Sequence, residues 1–368
     1  MTNDISQSSK PQFREATNFL RGICALAILF WHYQHFFFQG TGATEFDNTN
    51  QPFYFLFSIA YNKGLLAVQI FWCISGLIMT HSHINKKENG AREYTISRFA
   101  RLYPLHIVTL LLVTLLQQIS FQKLNTFQIY ANNDLRHFLL NLFFVQSWGS
   151  EQQYSFNAPT WSVSREIFIY ILFFFVISSL RRFKVWVPIV VLVLYKASVN
   201  IKLISPFRDC LVYFFFGVGV YFCSSFVAKK FFKSPIVLIL FIEVFVFLTF
   251  RHLNMTSFDS GDNGYIWSTA FLVFFVAQID GSRLAPLFMK TRMLGDLSYS
   301  VFLWHVPIQI TIKLVQAKYS IDNSVAYNKL FFIFFIALTY FIGYLSYRYI
   351  EQPAQRIIRK RFARTATI

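Results

Sequence analysis

The chain has 368 residues, of which 55% are hydrophobic, 20% aromatic and only 14% charged, with a mean hydropathy of +0.43. A soluble domain carries about a quarter charged residues, so a soluble protein with a single anchor is excluded. The net charge of +17 does not point to nucleic acid, because the basic residues are distributed by side of the membrane. The apolar runs are continuous rather than alternating, which excludes a β-barrel and leaves an all-α polytopic membrane bundle.

Residues 1–13 are polar and lack the apolar core of a cleaved signal, so a short cytoplasmic tail is expected before a retained first helix. The hydropathy pattern predicts about ten spans, at roughly 16–38, 62–81, 98–120, 160–180, 185–200, 207–226, 235–251, 264–280, 294–317 and 328–350. The first, within FLRGICALAILFWHYQHFFF, sets Arg21 and His32 eleven residues apart. That is about three helical turns, so both side chains share one face, about 16 Å apart in depth. Ionisable residues inside a membrane helix are costly and mark function by default. A cation near one end and an imidazole deeper in suit a protein that holds an anion on one side of a bilayer and moves protons further inside. His35 lies three residues beyond His32, but no third ligand with suitable spacing accompanies the pair, and no metal is expected.

The second span holds FWCISGLIMT, where Ser75-Gly76 permits close helix approach; packing is preferred to a nucleophilic role because no base neighbours the serine. The third opens with SRFARLYPLH. Arg98 and Arg101 neighbour each other on one helical face before Pro104 and suit a bidentate grip on phosphates, although plain positive-inside anchoring would use the same residues. Between the third and fourth spans lies the longest external segment, about 121–159, with Asn132, Asn133, Asp134, Gln146, Trp148, Gln152, Gln153 and Tyr154. Amides and aromatic rings suit sugar binding; an amphipathic flap fits equally. Its apolar stretch 135–148 is too short and interrupted to be a span, and is expected to be re-entrant or interfacial.

The fourth span begins APTWSVSREIFIYILF and places Glu166 several residues inside the outer face, where a carboxylate can orient an imidazole, bind a hydroxyl or form a structural ion pair. Asp209, Glu243 and Lys313 are further intramembrane charges without a motif. The ninth span, LGDLSYSVFLWHVPIQI, puts His305 near mid-membrane. The four cysteines all fall in apolar segments, without metal spacing or the loop context of disulfides. With the N-terminus inside, the basic clusters at 86–92, 181–184, 229–233, 283–292 and 356–364 all fall on the cytoplasmic side, and so does the C-terminus. Residues 354–368 then form a basic cytoplasmic tail to a transmembrane domain over 14–353.

These elements, in this order, resemble the acyltransferase-3 family of integral-membrane acyltransferases. The resemblance rests on Arg21-Gly22 with His32, Phe71-Trp72-Cys73-Ile74-Ser75-Gly76, Arg98 with Arg101 and Pro104, and Trp161-Ser162-Val163-Ser164-Arg165-Glu166. It continues through Leu294-Gly295, Ser298-Tyr299 and Leu303-Trp304-His305 to Glu351-Gln352-Pro353. Asn18 stands where the family has an acidic residue, Trp72 where it has phenylalanine, and Arg165 where an acidic or neutral residue is common. The extracytoplasmic esterase-like domain of some relatives is not seen.

The resemblance implies transfer of an acyl group, with acetyl expected, from cytoplasmic acyl-coenzyme A to a hydroxyl of an extracytoplasmic or lipid-linked glycan. A multi-pass protein of the bacterial cytoplasmic membrane is implied with it. Arg21, Arg98 and Arg101 would hold the donor's phosphates. His32 would be the general base, with Glu166 and His305 the other catalytic candidates. Direct transfer and an acylated intermediate both remain open. A transporter or flippase for a glycan or anionic metabolite is the alternative that composition alone allows, and it would release no coenzyme A. A channel fits less well, since no acidic ring or pore repeat occurs.

Overall fold

The computed structural model describes residues 15–42, 45–86, 90–149, 154–183, 204–226, 263–280 and 284–364, with isolated positions at 186, 189, 190 and 193. Among them the chain is helical and contains no named strand. The α-helices are α1 (Glu15–His32), α2 (Tyr54–Lys63), α3 (Ala67–His83), α4 (Ala91–Leu124), α5 (Leu135–Leu142) and α6 (Trp161–Phe183). They continue with α7 (Arg208–Phe226), α8 (Asn263–Asp280), α9 (Arg292–Asp296), α10 (Ser298–Lys318), α11 (Lys329–Ser346) and α12 (Gln352–Arg364). Five helical stretches are long and apolar enough to cross a membrane, or six if the bent pair Tyr265–Asp280 and Ala285–Lys318 makes one span. The expected span 235–251 lies outside the described residues, as does 185–200 apart from those isolated positions.

The stretch 135–148 forms no span. Its helix α5 has 8 residues, about 12 Å of rise against a hydrocarbon core of about 30 Å. Asp134 caps α5, its carboxylate accepting from the His137 N–H at 2.9 Å and from the His137 ring at 2.7 Å. The backbone N–H first, and the imidazole with it, hold the Asp134 carboxyl below its ordinary range. The end of α5 and the chain just after it pack on α4: His106 Nε2 donates to the Asn141 carbonyl at 2.8 Å and its ring stacks on the buried Phe144.

Helix ends and close backbone contacts fix the bundle. The buried carboxylate of Asp280, at the end of α8, accepts from the Ala16 and Thr17 N–H groups at 2.6 and 3.1 Å, supplying partners for donors that a helix N-terminus leaves open. α3 and α7 meet backbone to backbone: a Cβ on Gly76 would lie 1.9 Å from the Phe214 carbonyl oxygen, and one on Gly217 would lie 1.9 Å from that of Cys73. Only glycine fits at either position, which is the packing role expected of Ser75-Gly76. In α10, Pro307 has no N–H to offer the Leu303 carbonyl one turn back. Asn157 Nδ2 donates to that carbonyl at 2.9 Å instead.

Arg181, at the C-terminal end of α6, donates to the carbonyls of Ile84 and Lys86 in the turn between α3 and α4. The end of α6 and the α3–α4 turn therefore lie at the same end of the bundle, so α4 and α6 together make a return passage.

Candidate active site

A cavity of about 90 Å³ lies within the bundle, and Arg21, Arg98, Arg101 and Glu166 all line it. Arg21 comes from the second turn of α1, where its Nη2 donates to Ser298 Oγ at 3.1 Å and its Nη1 to Asn18 Oδ1 at 3.4 Å. Arg98 and Arg101 come from one face of α4. Arg98 Nη1 meets Met79 Sδ at 3.1 Å, and its guanidinium lies 5.7 Å from the centre of the Tyr170 ring. Arg101 has no hydrogen-bond partner among the described residues. Three guanidiniums thus face a single carboxylate, and that carboxylate is already engaged: Tyr170 Oη donates to Glu166 Oε1 at 2.5 Å. Cations gathered in a low-dielectric space without matching anions make a site for an anionic ligand.

The start of α6 is tied to residues Phe144, Ser147 and Trp148. Ser164 Oγ donates to the Phe144 carbonyl at 2.7 Å, Trp148 Nε1 to the Ser164 carbonyl at 3.0 Å, and Arg165 Nε to Ser147 Oγ at 2.9 Å. Arg165 also covers Trp161 at 4.7 Å and so points away from Glu166. The four charged candidates share one cavity, and no hydrogen bond joins Glu166 to His32.

A second cluster lies about one turn beyond. Ile28 and Phe302 line the cavity. The Ile28 carbonyl accepts from His32 Nδ1 at 2.9 Å, and the Phe302 ring lies 5.9 Å from that of His305. The His32 ring is 4.9 Å from His305 and 5.1 Å from His35, centre to centre. All three imidazoles are buried. A carbonyl oxygen can only accept, so Nδ1 of neutral His32 carries the proton and Nε2 carries the lone pair.

Gln309 ties the cluster together. Its Nε2 donates to the His32 carbonyl at 2.7 Å, one of the acceptors that the end of α1 leaves open. Its Oε1 therefore faces His35 Nδ1, at 3.1 Å, which must donate. His35 Nε2 is left to accept from Tyr130 Oη in the external segment, at 3.4 Å. Neither ring nitrogen of His305 has a hydrogen-bond partner among the described residues. Lys313, two turns beyond His305 on α10, donates to the Phe38 carbonyl at 2.6 Å and so has a structural partner. No group of three or more His, Cys, Asp or Glu side chains among the described residues is arranged to hold a metal.

The sequence profile of a family described as an acyltransferase domain matches residues 14–348. The chain belongs to the acyltransferase-3 family. The O-acetyltransferase OatA of Staphylococcus aureus (strain NCTC 8325 / PS 47) is 27% identical over 345 residues, which cover 82% of this chain and 54% of OatA. The acyltransferase MdmB of Streptomyces mycarofaciens is 30% identical over 113 residues, covering 30% of this chain and 27% of MdmB. The chain thus spans about half the length of OatA. No solved structure matches it.

Of the residues that carried the family resemblance, Arg21, Arg98, Arg101 and Glu166 line the cavity, while His32 and His305 meet beyond it. Gln309, Tyr130 and Tyr170 did not stand out in the sequence. Gln309 carried a usable signal: it lies four residues after His305 and so on the same face of an apolar helix. Tyr130 carried none, since only the folding of the external segment brings it to His35.

Proposed function

We propose that the protein is an O-acyltransferase that moves an acyl group from cytoplasmic acyl-coenzyme A to a hydroxyl of an extracytoplasmic or lipid-linked glycan. The single observation that carries this reading is the pairing of an under-neutralised three-arginine cavity with a buried imidazole whose lone-pair nitrogen is fixed as Nε2. The arginines suit the negatively charged donor. Similarity to the O-acetyltransferase OatA favours acetyl as the acyl group. His32 Nε2 takes the proton of the acceptor hydroxyl as its oxygen attacks the thioester carbonyl. The new C–O bond replaces the C–S bond, and the proton leaves with the coenzyme A thiol.

His305 lies beside His32 and shields or supplements it. Glu166, through Tyr170, positions the arginine side of the site. The transmembrane unit spans 14–353 in about ten crossings of the bacterial cytoplasmic membrane, with both termini and the arginine end of the bundle in the cytoplasm. The placing of Arg181 beside the α3–α4 turn supports this orientation, because both segments belong to the basic clusters expected inside.

The test is acceptor-dependent release of coenzyme A from acetyl-coenzyme A by purified protein in lipid, wild type against His32→Ala. Release that needs a glycan acceptor and collapses in the variant is the expected result. Folded protein that releases no coenzyme A with any acyl donor or glycan extract would replace this reading with a transporter.

A further inference from the structure

The arginine cavity shares Arg21, Arg101 and Tyr299 with a second, wider cavity of about 350 Å³ at the same end of the bundle. The far wall of this second space is helix α12. Gln352, Gln355, Arg356 and Arg359 line it, at the spacing of one helical stripe. The sequence placed these arginines in a basic tail and gave them only a topological role. Two carboxylates also line the space, and both are already engaged. Glu351 is buried and accepts from Ser300 Oγ at 2.8 Å and Gln355 Nε2 at 3.2 Å. Asp296 accepts from Asn18 at 3.4 Å and pairs with Arg292 at 3.6 Å. None of the four guanidiniums lining the cavity hydrogen-bonds to either carboxylate.

The local fold explains why α12 lies there. Tyr347–Glu351 is a π-helical turn, in which the Gln352 N–H reaches the Tyr347 carbonyl five residues back. The wider turn carries Glu351 inward to Ser300 of α10, and α12 then runs across the mouth with Arg356 and Arg359 exposed. Arg356 Nη2 donates to Gln352 Oε1 at 3.3 Å. Tyr347 lines the same space and offers an aromatic face.

We propose that this second cavity is the nucleotide seat of the donor. Arg356 and Arg359 of α12, facing Arg21 and Arg101, bind the phosphates of an adenosine-phosphate group, and Tyr347 takes the purine face. The donor's pantetheine arm passes Tyr299 into the arginine cavity. This inference rests on acyl-coenzyme A as the donor and extends the donor site to α12, beyond the three arginines singled out in the sequence. Phosphate could also come from an anionic lipid headgroup, so the test separates the two sources.

Binding of coenzyme A to the full chain is measured by calorimetry in zwitterionic lipid nanodiscs and in discs containing phosphatidylglycerol, for wild type, Arg356→Gln/Arg359→Gln and Lys360→Gln/Arg361→Gln. The last pair removes the same charge from α12 but does not line the cavity. The seat variant should weaken coenzyme A about tenfold or more, as expected for losing charge-assisted hydrogen bonds, with an unchanged unfolding midpoint. The control pair should bind as wild type does. Where turnover is seen, KM for acetyl-coenzyme A should rise in the seat variant with kcat unchanged.

Equal binding by the seat variant and wild type would overturn the seat while leaving the donor reading intact. Equal weakening by both pairs would reduce the effect to general charge and overturn it too. A loss confined to discs containing phosphatidylglycerol would assign the arginines to lipid and likewise overturn it. Folded wild type that binds no coenzyme A would remove the donor reading itself.

Discussion

The arginine cavity and the histidine cluster lie about one helical turn apart, yet they are built on opposite plans. In the cavity, charge is left unbalanced: three guanidiniums share one carboxylate, and that carboxylate is held by Tyr170. In the cluster, hydrogen bonds fix the protons of two of the three imidazoles, through the Ile28 carbonyl and Gln309. An unbalanced site draws in a charged ligand from outside. A site with assigned protons is ready to move one more. A group-transfer reaction between a charged donor and a neutral hydroxyl needs both, and needs them separated so that the cations do not suppress the base.

The largest test of this division is His32. His32→Gln keeps an amide near the Ile28 carbonyl but has no basic nitrogen; it should lower kcat about 10²–10⁴-fold, the usual worth of a general base, with donor binding unchanged. A matching loss of coenzyme A affinity would merge the two regions into one. Next comes Arg101, the cavity guanidinium without a hydrogen-bond partner among the described residues. Arg101→Gln should raise KM for the donor about ten- to a hundredfold and leave kcat largely intact, and Arg101→Lys should recover only part of it, because the planar fork is lost. Gln309→Leu sharpens the comparison from the other side: kcat should fall about tenfold as His32 and His35 lose their common anchor, while KM for the donor stays put.

The smallest effect should come from Asp134, remote from both regions. Its carboxyl is held below the ordinary range, so the cap of α5 is fully in place at neutral pH. That contribution is lost as pH falls through the lowered value. Asp134→Ala should cost about 1 kcal/mol locally, seen as faster amide exchange at the start of α5 at pH 7. The gap to wild type should begin to narrow as pH falls below about 4 and close once pH is below the lowered value.

Much of this was legible in the sequence because it depends on spacing along single helices. Arg21 and His32 share a face by helical arithmetic, Arg98 and Arg101 likewise, and Ser75-Gly76 reads as a close contact before its partner Gly217 is known. The basic clusters predicted that 84–86 and 181 share a side, and Arg181 joins them directly. The external segment was not legible to the same degree. Hydropathy cannot register that Phe144, Ser147 and Trp148 hydrogen-bond to the start of α6 beside Glu166. Gln309 and Tyr130 act through contacts 274 and 95 residues away in sequence, and no local pattern encodes them.

Asn157 bears on how such a protein can be re-engineered. It closes the carbonyl that Pro307 leaves open, less than one turn before His305, so a residue of the external segment completes the backbone of the histidine helix. Grafting a relative's external segment to change acceptor preference should therefore succeed when the exchanged piece stops before Asn157. A graft that replaces Asn157 with an apolar residue should lose activity on every acceptor alike, its own included.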